Sequence, residues 1–175
     1  MALPGELEHA LLFNAVTFQK HISQEELHLT AIAPFGDVCL RSPDFQFSYS
    51  QYYAPEMGDA LVKTFVVYRS FFNVEDAVNA KLKAIEIEQQ NAVDGKRTIN
   101  IDPGYLTLAK LVLMTTKNYD HRVHVGKGIY GDVQLRYRKG ALHSNPWTYP
   151  DYKDDRSLAF LIEARSYLHK LVKGL

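Results

Sequence analysis

The stretch Ala10–Phe18, ALLFNAVTF, is apolar on both of its alternating faces. A strand of that kind belongs in the middle of a sheet covered on both sides. Leu61–Arg69, LVKTFVVYR, is rich in β-formers and is the second candidate for a central strand. Between them, Ser23 stands three residues before Glu26, the spacing at which a hydroxyl and a carboxylate each satisfy a backbone N–H at a helix start. Ile22 and Leu27 hold the flanking apolar positions. A short helix is therefore expected over 24–33, stopped by Pro34 and Gly36. Two short strands split by Pro43 follow. In the second, Phe45, Phe47 and Tyr49 alternate with Gln46, Ser48 and Ser50. Tyr52–Gly58 reads as a loop from its Pro and Gly.

Further on, Asn73 suits a helix N-cap, with Glu75 and Asp76 where the helix dipole favours acids. That helix should run to about Asn91, turning Val74, Ala77, Val78, Leu82, Ile85 and Gln89 inward. Asp94-Gly95 signals a turn, and Thr98–Asp102 a strand with Ile99 and Ile101 inward. The class is α+β: an antiparallel sheet with helices packed on it. The element order suggests a ferredoxin-like βαββαβ core over about residues 9–102. The alternative is another antiparallel sheet with helices on one face. Asp102-Pro103-Gly104 then reads as a break, and Tyr105–Thr116, YLTLAKLVLMTT, leans to helix on its helix formers. From His121 to Ser144 a hairpin-like extension is expected. Ile129, Gly131, Val133, Leu135 and Tyr137 alternate there with Tyr130, Asp132, Gln134, Arg136 and Arg138, and Lys139-Gly140 is the turn. An aromatic loop, Pro146–Tyr152, precedes a last helix over about 155–172, which should bury Leu158, Leu161, Ile162, Leu168 and Leu171.

A chain of 175 residues fits one domain and can bury a core without staples. Twenty basic residues balance twenty acidic ones, so no global field steers it to nucleic acid or membrane. No apolar run approaches the ~20 residues of a membrane span, and no export signal opens the sequence, so a cytoplasmic setting is expected. The single cysteine, Cys39, suits a reducing compartment. Its Val38-Cys39-Leu40 context reads as an inert strand interior, with a nucleophile as the alternative. Eleven Tyr and nine Phe suit either half-buried sheets or a ligand groove.

No phosphate loop, dinucleotide glycine motif, nucleophile elbow or zinc spacing is present, so the sequence names no cofactor and no metal. His121 and His124 lie three apart, which on a strand sets them on opposite faces and argues against a shared metal. Polar chemistry concentrates between Asp102 and Tyr152. Arg136 and Arg138 share a strand face, as do Arg122 and His124. Paired in one sheet they would form a cationic surface for phosphate or carboxylate, the alternative being a solvated face. Asp102 on its Pro-Gly turn is either a placed carboxylate or an ordinary turn residue. The loop Trp147–Tyr152 either stacks on a ligand ring or plugs the sheet.

Three stretches carry a resemblance. They are RTINIDPGYLTLAKLVLMTTKNYDHRVHVGKGIYGDVQLRYRKG (97–140), PWTYPDY (146–152), and the segment from Asp44 to Gly58 with its Tyr52-Tyr53 and Glu56-Met57-Gly58. Together they resemble the bacterial domain-of-unknown-function 4416 family over nearly the whole chain. Members sometimes carry the label "GTP-binding protein", but neither a phosphate loop nor a guanine-reading N-K-x-D is found here. The resemblance implies a family and little about activity.

The favoured expectation is a site for a small anionic ligand, a nucleotide or phosphorylated metabolite, with enzymatic action left open. Lys117, Arg122, Lys127, Arg136 and Arg138 would hold the anion, and Tyr105, Tyr130, Trp147 and Tyr149 would stack on a ring. Asp102, His121 and Asp132 are the candidate catalytic groups, and Asp151 would contact the ligand as base or cation site. The alternative is an interaction module without chemistry, a homodimer by analogy with ferredoxin-like sheets. RNA binding is third: aromatics and arginines on a sheet can stack bases, but the charge balance and the missing signature argue against it.

Overall fold

The computed structural model describes residues 5, 8–49 and 53–175. Strand β1 (Ala10–Gln19) is buried from Ala10 to Phe18, as its two apolar faces require. It lies between β4 (Leu61–Phe71) and β5 (Ile99–Thr107), antiparallel to both. Strand β2 (Val38–Arg41) flanks β4, and the two-residue β3 (Phe45–Gln46) pairs further along it. Beyond β5 come β6 (Lys110–Thr115), then β8 (Ile129–Arg138). The far side of β8 carries β7 (Val123–Gly126) and β9 (Ala141–Ser144). The order is β2-β4-β1-β5-β6-β8-β7, antiparallel throughout. The architecture is α+β, as the sequence indicates.

Helices cover both faces of the central strands. The Ser23 hydroxyl accepts from Glu26 N at 3.1 Å and opens α1 (Gln24–Leu27). The chain stays helical beyond it, but as a wide π turn (His28–Ile32) and a 3-10 turn (Ala33–Phe35) that ends at Gly36. A one-turn helix, α2 (Ala54–Met57), interrupts the expected loop at Pro55. Ser50 and Tyr52 lie outside the described residues. Asn73 caps a 3-10 turn that leads into α3 (Ala77–Gln90). Leu27, Ala31, Ile32, Ala84 and Ile87 join Val16, Phe18, Val66, Ile99 and Ile101 in one core. On the opposite face α4 (Asp155–Lys173) sets Phe160, Leu161, Ala164 and Leu168 against Phe13, Ala15, Phe65 and Leu106. At roughly 2 kcal/mol for each large buried side chain, these two layers supply most of the driving force.

Four expectations need correction. Tyr105–Thr116 is the end of β5 and all of β6, not a helix. Its reversal is a turn at Thr107, whose hydroxyl accepts from Ala109 N (3.1 Å) and Lys110 N (3.2 Å). Asp102-Pro103-Gly104 does not break the chain, because β5 runs straight through it with the β1 ladder unbroken. The inner face of α3 carries Ala77, Lys81, Ala84, Ile87 and Glu88, while Leu82 and Gln89 are exposed. Two charged side chains thus point inward where an apolar stripe was expected. On β8 the polar positions Asp132 and Gln134 are buried, because the 145–152 segment folds over them. Cys39 stands on β2 as read, but half-buried, with Sγ donating to Val67 O at 3.4 Å.

Candidate functional site

The site begins with an interrupted ladder. The β5–β6 pairing ends at Gly104↔Leu113, immediately after Pro103. The two strands touch closely there: a Cβ on residue 104 would stand 2.1 Å from Val112 O, so only glycine fits. One residue earlier the ladder loses a donor, since proline has no N–H. The edge of β5 left without a strand is closed by α3 instead. Ile101 N donates to Glu88 Oε1 (2.7 Å), and Lys81 Nζ donates to Ile101 O (3.0 Å). Main-chain groups two apart on a strand face the same edge, so the missing N–H of Pro103 lies on this same side. The inward Lys81 and Glu88 of α3 are there to pair a strand edge, which is why the helix is turned as it is.

Where β5 and β6 separate, a cavity of about 420 Å³ opens, within the range of small-molecule pockets. Register explains its floor. Thr17 pairs with Lys63 on β4 and with Asn100 on β5, and Ala15 pairs with Phe65 and Asp102. Cross-strand partners share a face, so only two small residues separate Lys63 from Asn100 and Asp102. Aromatic walls come from Phe47, Tyr49, Tyr53, Tyr119, Tyr149 and Tyr152. The end of β6 adds Thr115, Thr116 and Lys117.

The polar groups are tightly organised. Asp102, with 29 % of its side chain exposed, accepts from Lys81 Nζ (3.3 Å) and Asn100 Nδ2 (2.9 Å). Burial alone would raise its carboxyl, but Lys81, Lys63 and the Asn100 amide outweigh that and hold it below the ordinary carboxylate range. Asn100 is fixed in turn by Arg97 Nη1 (2.8 Å). Arg97 grips Glu56 of α2 through two bonds, of 2.8 and 2.7 Å. Glu88 is pushed up by burial despite its cationic neighbours. Lys63, 5 % exposed, sits 2.5 Å from Asp151 Oδ2. Its ammonium lies 5.0, 5.7 and 5.2 Å from the ring centres of Phe47, Phe65 and Tyr152. Burial drives the hydroxyls of Tyr53, Tyr149 and Tyr152 upward, so all three remain donors.

Of the residues singled out in the sequence, Asp102, Lys117, Tyr149 and Asp151 line this cavity. Arg122 stands directly behind it. Its guanidinium donates to Tyr149 OH (2.7 Å), Lys117 O (3.0 Å) and the buried Asp132 (2.8 Å). His121 lies 3.5 Å from the same Asp132 oxygen and stacks on Trp147, whose indole N–H donates to Val133 O. These four support the cavity wall without lining it. The others are elsewhere. Tyr105 packs beside Ala77, Val112 and Met114, and Lys127 reaches Asn79 (3.2 Å). Tyr130 meets His124 edge-on. Arg136 pairs across the ladder with Lys110 and His143, and Arg138 ends β8 in solvent. The single cationic face expected from Arg122, His124, Arg136 and Arg138 does not form, because Arg122 is drawn inward by Asp132.

Sequence reading missed Lys63, Lys81, Arg97, Asn100 and Tyr53. Two signals pointed to them: Lys63 is the one charge inside the apolar run LVKTFVV, and Lys81 and Glu88 stand seven apart on the face of Ala77 and Ala84. Among the described residues no His, Cys, Asp and Glu group could hold a metal ion, and no helix is long and apolar enough to cross a membrane.

Comparison with known proteins finds no similar curated protein and no similar solved structure. Residues 8–167 match the family described as domain of unknown function (DUF4416), nearly the full length and both sides of the cavity. The chain belongs to the DUF4416 family.

Proposed function

We propose that the cavity between β5 and β6 binds a small anionic ligand carrying a planar ring, such as a nucleotide or a phosphorylated metabolite. The observation that carries this reading is the lining itself. Lys63, Lys81, Arg97 and Lys117 face two carboxylates, Asp102 and Asp151, inside six aromatic rings. Arg97 is matched by Glu56, Lys63 by Asp151 and Lys81 by Asp102, so the cations stand in fixed positions around the open space. An anion would accept from these cations, and the tyrosines would stack on a ring while their hydroxyls donate to it. Asp102, kept ionised, would accept from ligand hydroxyl or amino groups. We read the β2-β4-β1-β5 half as ferredoxin-like and the setting as cytoplasmic.

Thermal unfolding with a panel of nucleotides and sugar phosphates, each with Mg²⁺, tests the proposal. At ten times Kd a ligand contributes about 1.4 kcal/mol, or a rise of ~4 °C in Tm for a chain of this length. The rise should vanish in Lys117→Ala and Asp102→Ala. No shift with any compound at millimolar concentration would defeat the reading.

A second reading has one observation in its favour. The terminal strand β7 exposes Val123 and Val125 beside an edge that pairs with no other strand among the described residues, a surface suited to pairing with a second copy of the chain. Light scattering should then report a dimer that Val123→Lys dissolves. A monomer in the parent chain would remove this reading.

A further inference from the structure

We propose that Lys63 is an amine nucleophile that forms a reversible imine with an aldehyde or keto group of the bound anion, with Asp151 as its proton acceptor. The inference rests on the cavity being a ligand site, and it narrows the ligand to carbonyl compounds. Its basis is the unusual position of one lysine. Lys63 lies in a central strand, in the deepest layer of the fold, yet it borders an open cavity. Among the described residues Asp151 is its only hydrogen-bond acceptor, so two of its three N–H groups are without an acceptor in a wall of three rings.

A purely structural pair looks different in this same protein. Arg122 and Asp132 are joined at 2.8 Å, both side chains 1 % exposed, and the guanidinium's other bonds hold the surrounding loops. Nothing about that pair meets open space. A buried ion pair is a weak source of stability compared with apolar residues of equal size. Holding the 150–152 turn therefore gives no reason to spend an ammonium at a cavity wall. A lysine desolvated by an apolar pocket beside a second cation is a setting in which lysine acts as a nucleophile. Lys81, which lines the same cavity, supplies that second cation. Tyr152, in the same wall, has a buried hydroxyl with no hydrogen-bond partner among the described residues and stays protonated, so it serves as proton donor to the carbonyl oxygen.

The step balances without an outside reagent. The ammonium gives one proton to Asp151. The freed nitrogen pair bonds to the carbonyl carbon while the carbonyl π pair moves to oxygen, which takes a proton from Tyr152. The nitrogen then returns a proton to the tyrosinate. Asp151 protonates the carbinolamine hydroxyl, which leaves as water, and the nitrogen pair closes the C=N bond. Both protons lost by nitrogen depart in that water, the iminium keeps the positive charge beside Asp151, and nothing is oxidised or reduced.

Reductive trapping tests this. The full chain is incubated with glyoxylate, pyruvate or pyridoxal 5′-phosphate and cyanoborohydride, and the adduct is located by peptide mass mapping. Lys63 should be modified at least about tenfold faster than any exposed lysine, because it joins a carboxylate in contact to a desolvating wall of rings at the cavity. Lys63→Arg should abolish that adduct, and Asp151→Asn should slow it by about tenfold or more. Modification confined to exposed lysines, or spread evenly, with all three probes overturns the proposal using the unaltered protein alone. If the nucleotide and sugar-phosphate panel still raises Tm while Lys63 stays unmodified, the imine fails and the ligand site stands. If neither responds, both fall.

Discussion

Two buried polar clusters stand side by side in this protein, and they differ in one respect. The Arg122–Asp132 cluster, with His121, Gln134, Asn145 and Thr148, is closed. Asn145 Nδ2 donates to Val133 O (2.7 Å), Thr148 bonds Gln134 O, and Tyr149 N donates to Gln134 Oε1 (2.9 Å). These bonds tie the 145–152 segment over β8. The Lys63–Asp102–Lys81–Asp151 cluster is charged too and, Asp102 apart, also buried, but it faces a cavity. Charge and burial therefore do not distinguish a binding site from a structural network here. Space does, and the space comes from the main chain at Pro103.

The comparison predicts unequal responses to truncation. The largest belongs to the closed cluster. Asp132→Ala strands the Arg122 charge, 1 % exposed and with no other carboxylate bonded to it among the described residues, and should cost about 3–5 kcal/mol. A urea midpoint moved by the equivalent of less than about 1 kcal/mol would mean that the pair is not structural in the sense argued. Next comes the boundary between the clusters and the sheet. Glu88→Ala leaves Ile101 N–H unpaired at the open edge of β5 and should cost about 1–3 kcal/mol, while Glu88→Gln, which keeps an acceptor, should cost visibly less. Equal losses in the two variants would show that the carboxylate charge, not the strand edge, is what matters.

The smallest effect belongs to the open cluster and is read against pH. The carboxyl of Asp102 is held below its ordinary value in the folded state. Its contribution is therefore complete above the unfolded carboxylate value, about 3.9, and is lost as pH falls through the lower folded value. Asp102→Asn has no such limb. The stability gap between parent and variant should be widest near neutrality and close in acid. A gap that stayed constant from neutral pH to about pH 2 would remove Lys63 and Lys81 as the cause.

Much of the fold was legible because periodicity and caps carry it. ALLFNAVTF is fully buried, Ser23 and Asn73 cap where their spacing indicates, and the β8–β9 turn falls at Lys139-Gly140. The failures share a cause: local chemistry was read without the neighbour that overrides it. LTLAKLVL has good helix formers, but a turn at Thr107 without glycine or proline folds it into two strands. Pro103 reads as a break, and in the sheet it breaks the ladder rather than the strand. Half of the cavity lay in the stretch marked from Asp102 to Tyr152. The other half, Lys63, Lys81 and Arg97, comes from earlier elements that only the strand register brings alongside.

Pro103 has a consequence for how this protein can change. Side chains lining a hollow can drift, and a hollow that depends on them drifts with them. Here the opening is written into the covalent skeleton, as an imino acid beside a residue that tolerates no Cβ. The walls can be repainted for a different guest while the room stays standing, because the point at which the two strands part is set by a ring that has no hydrogen to offer.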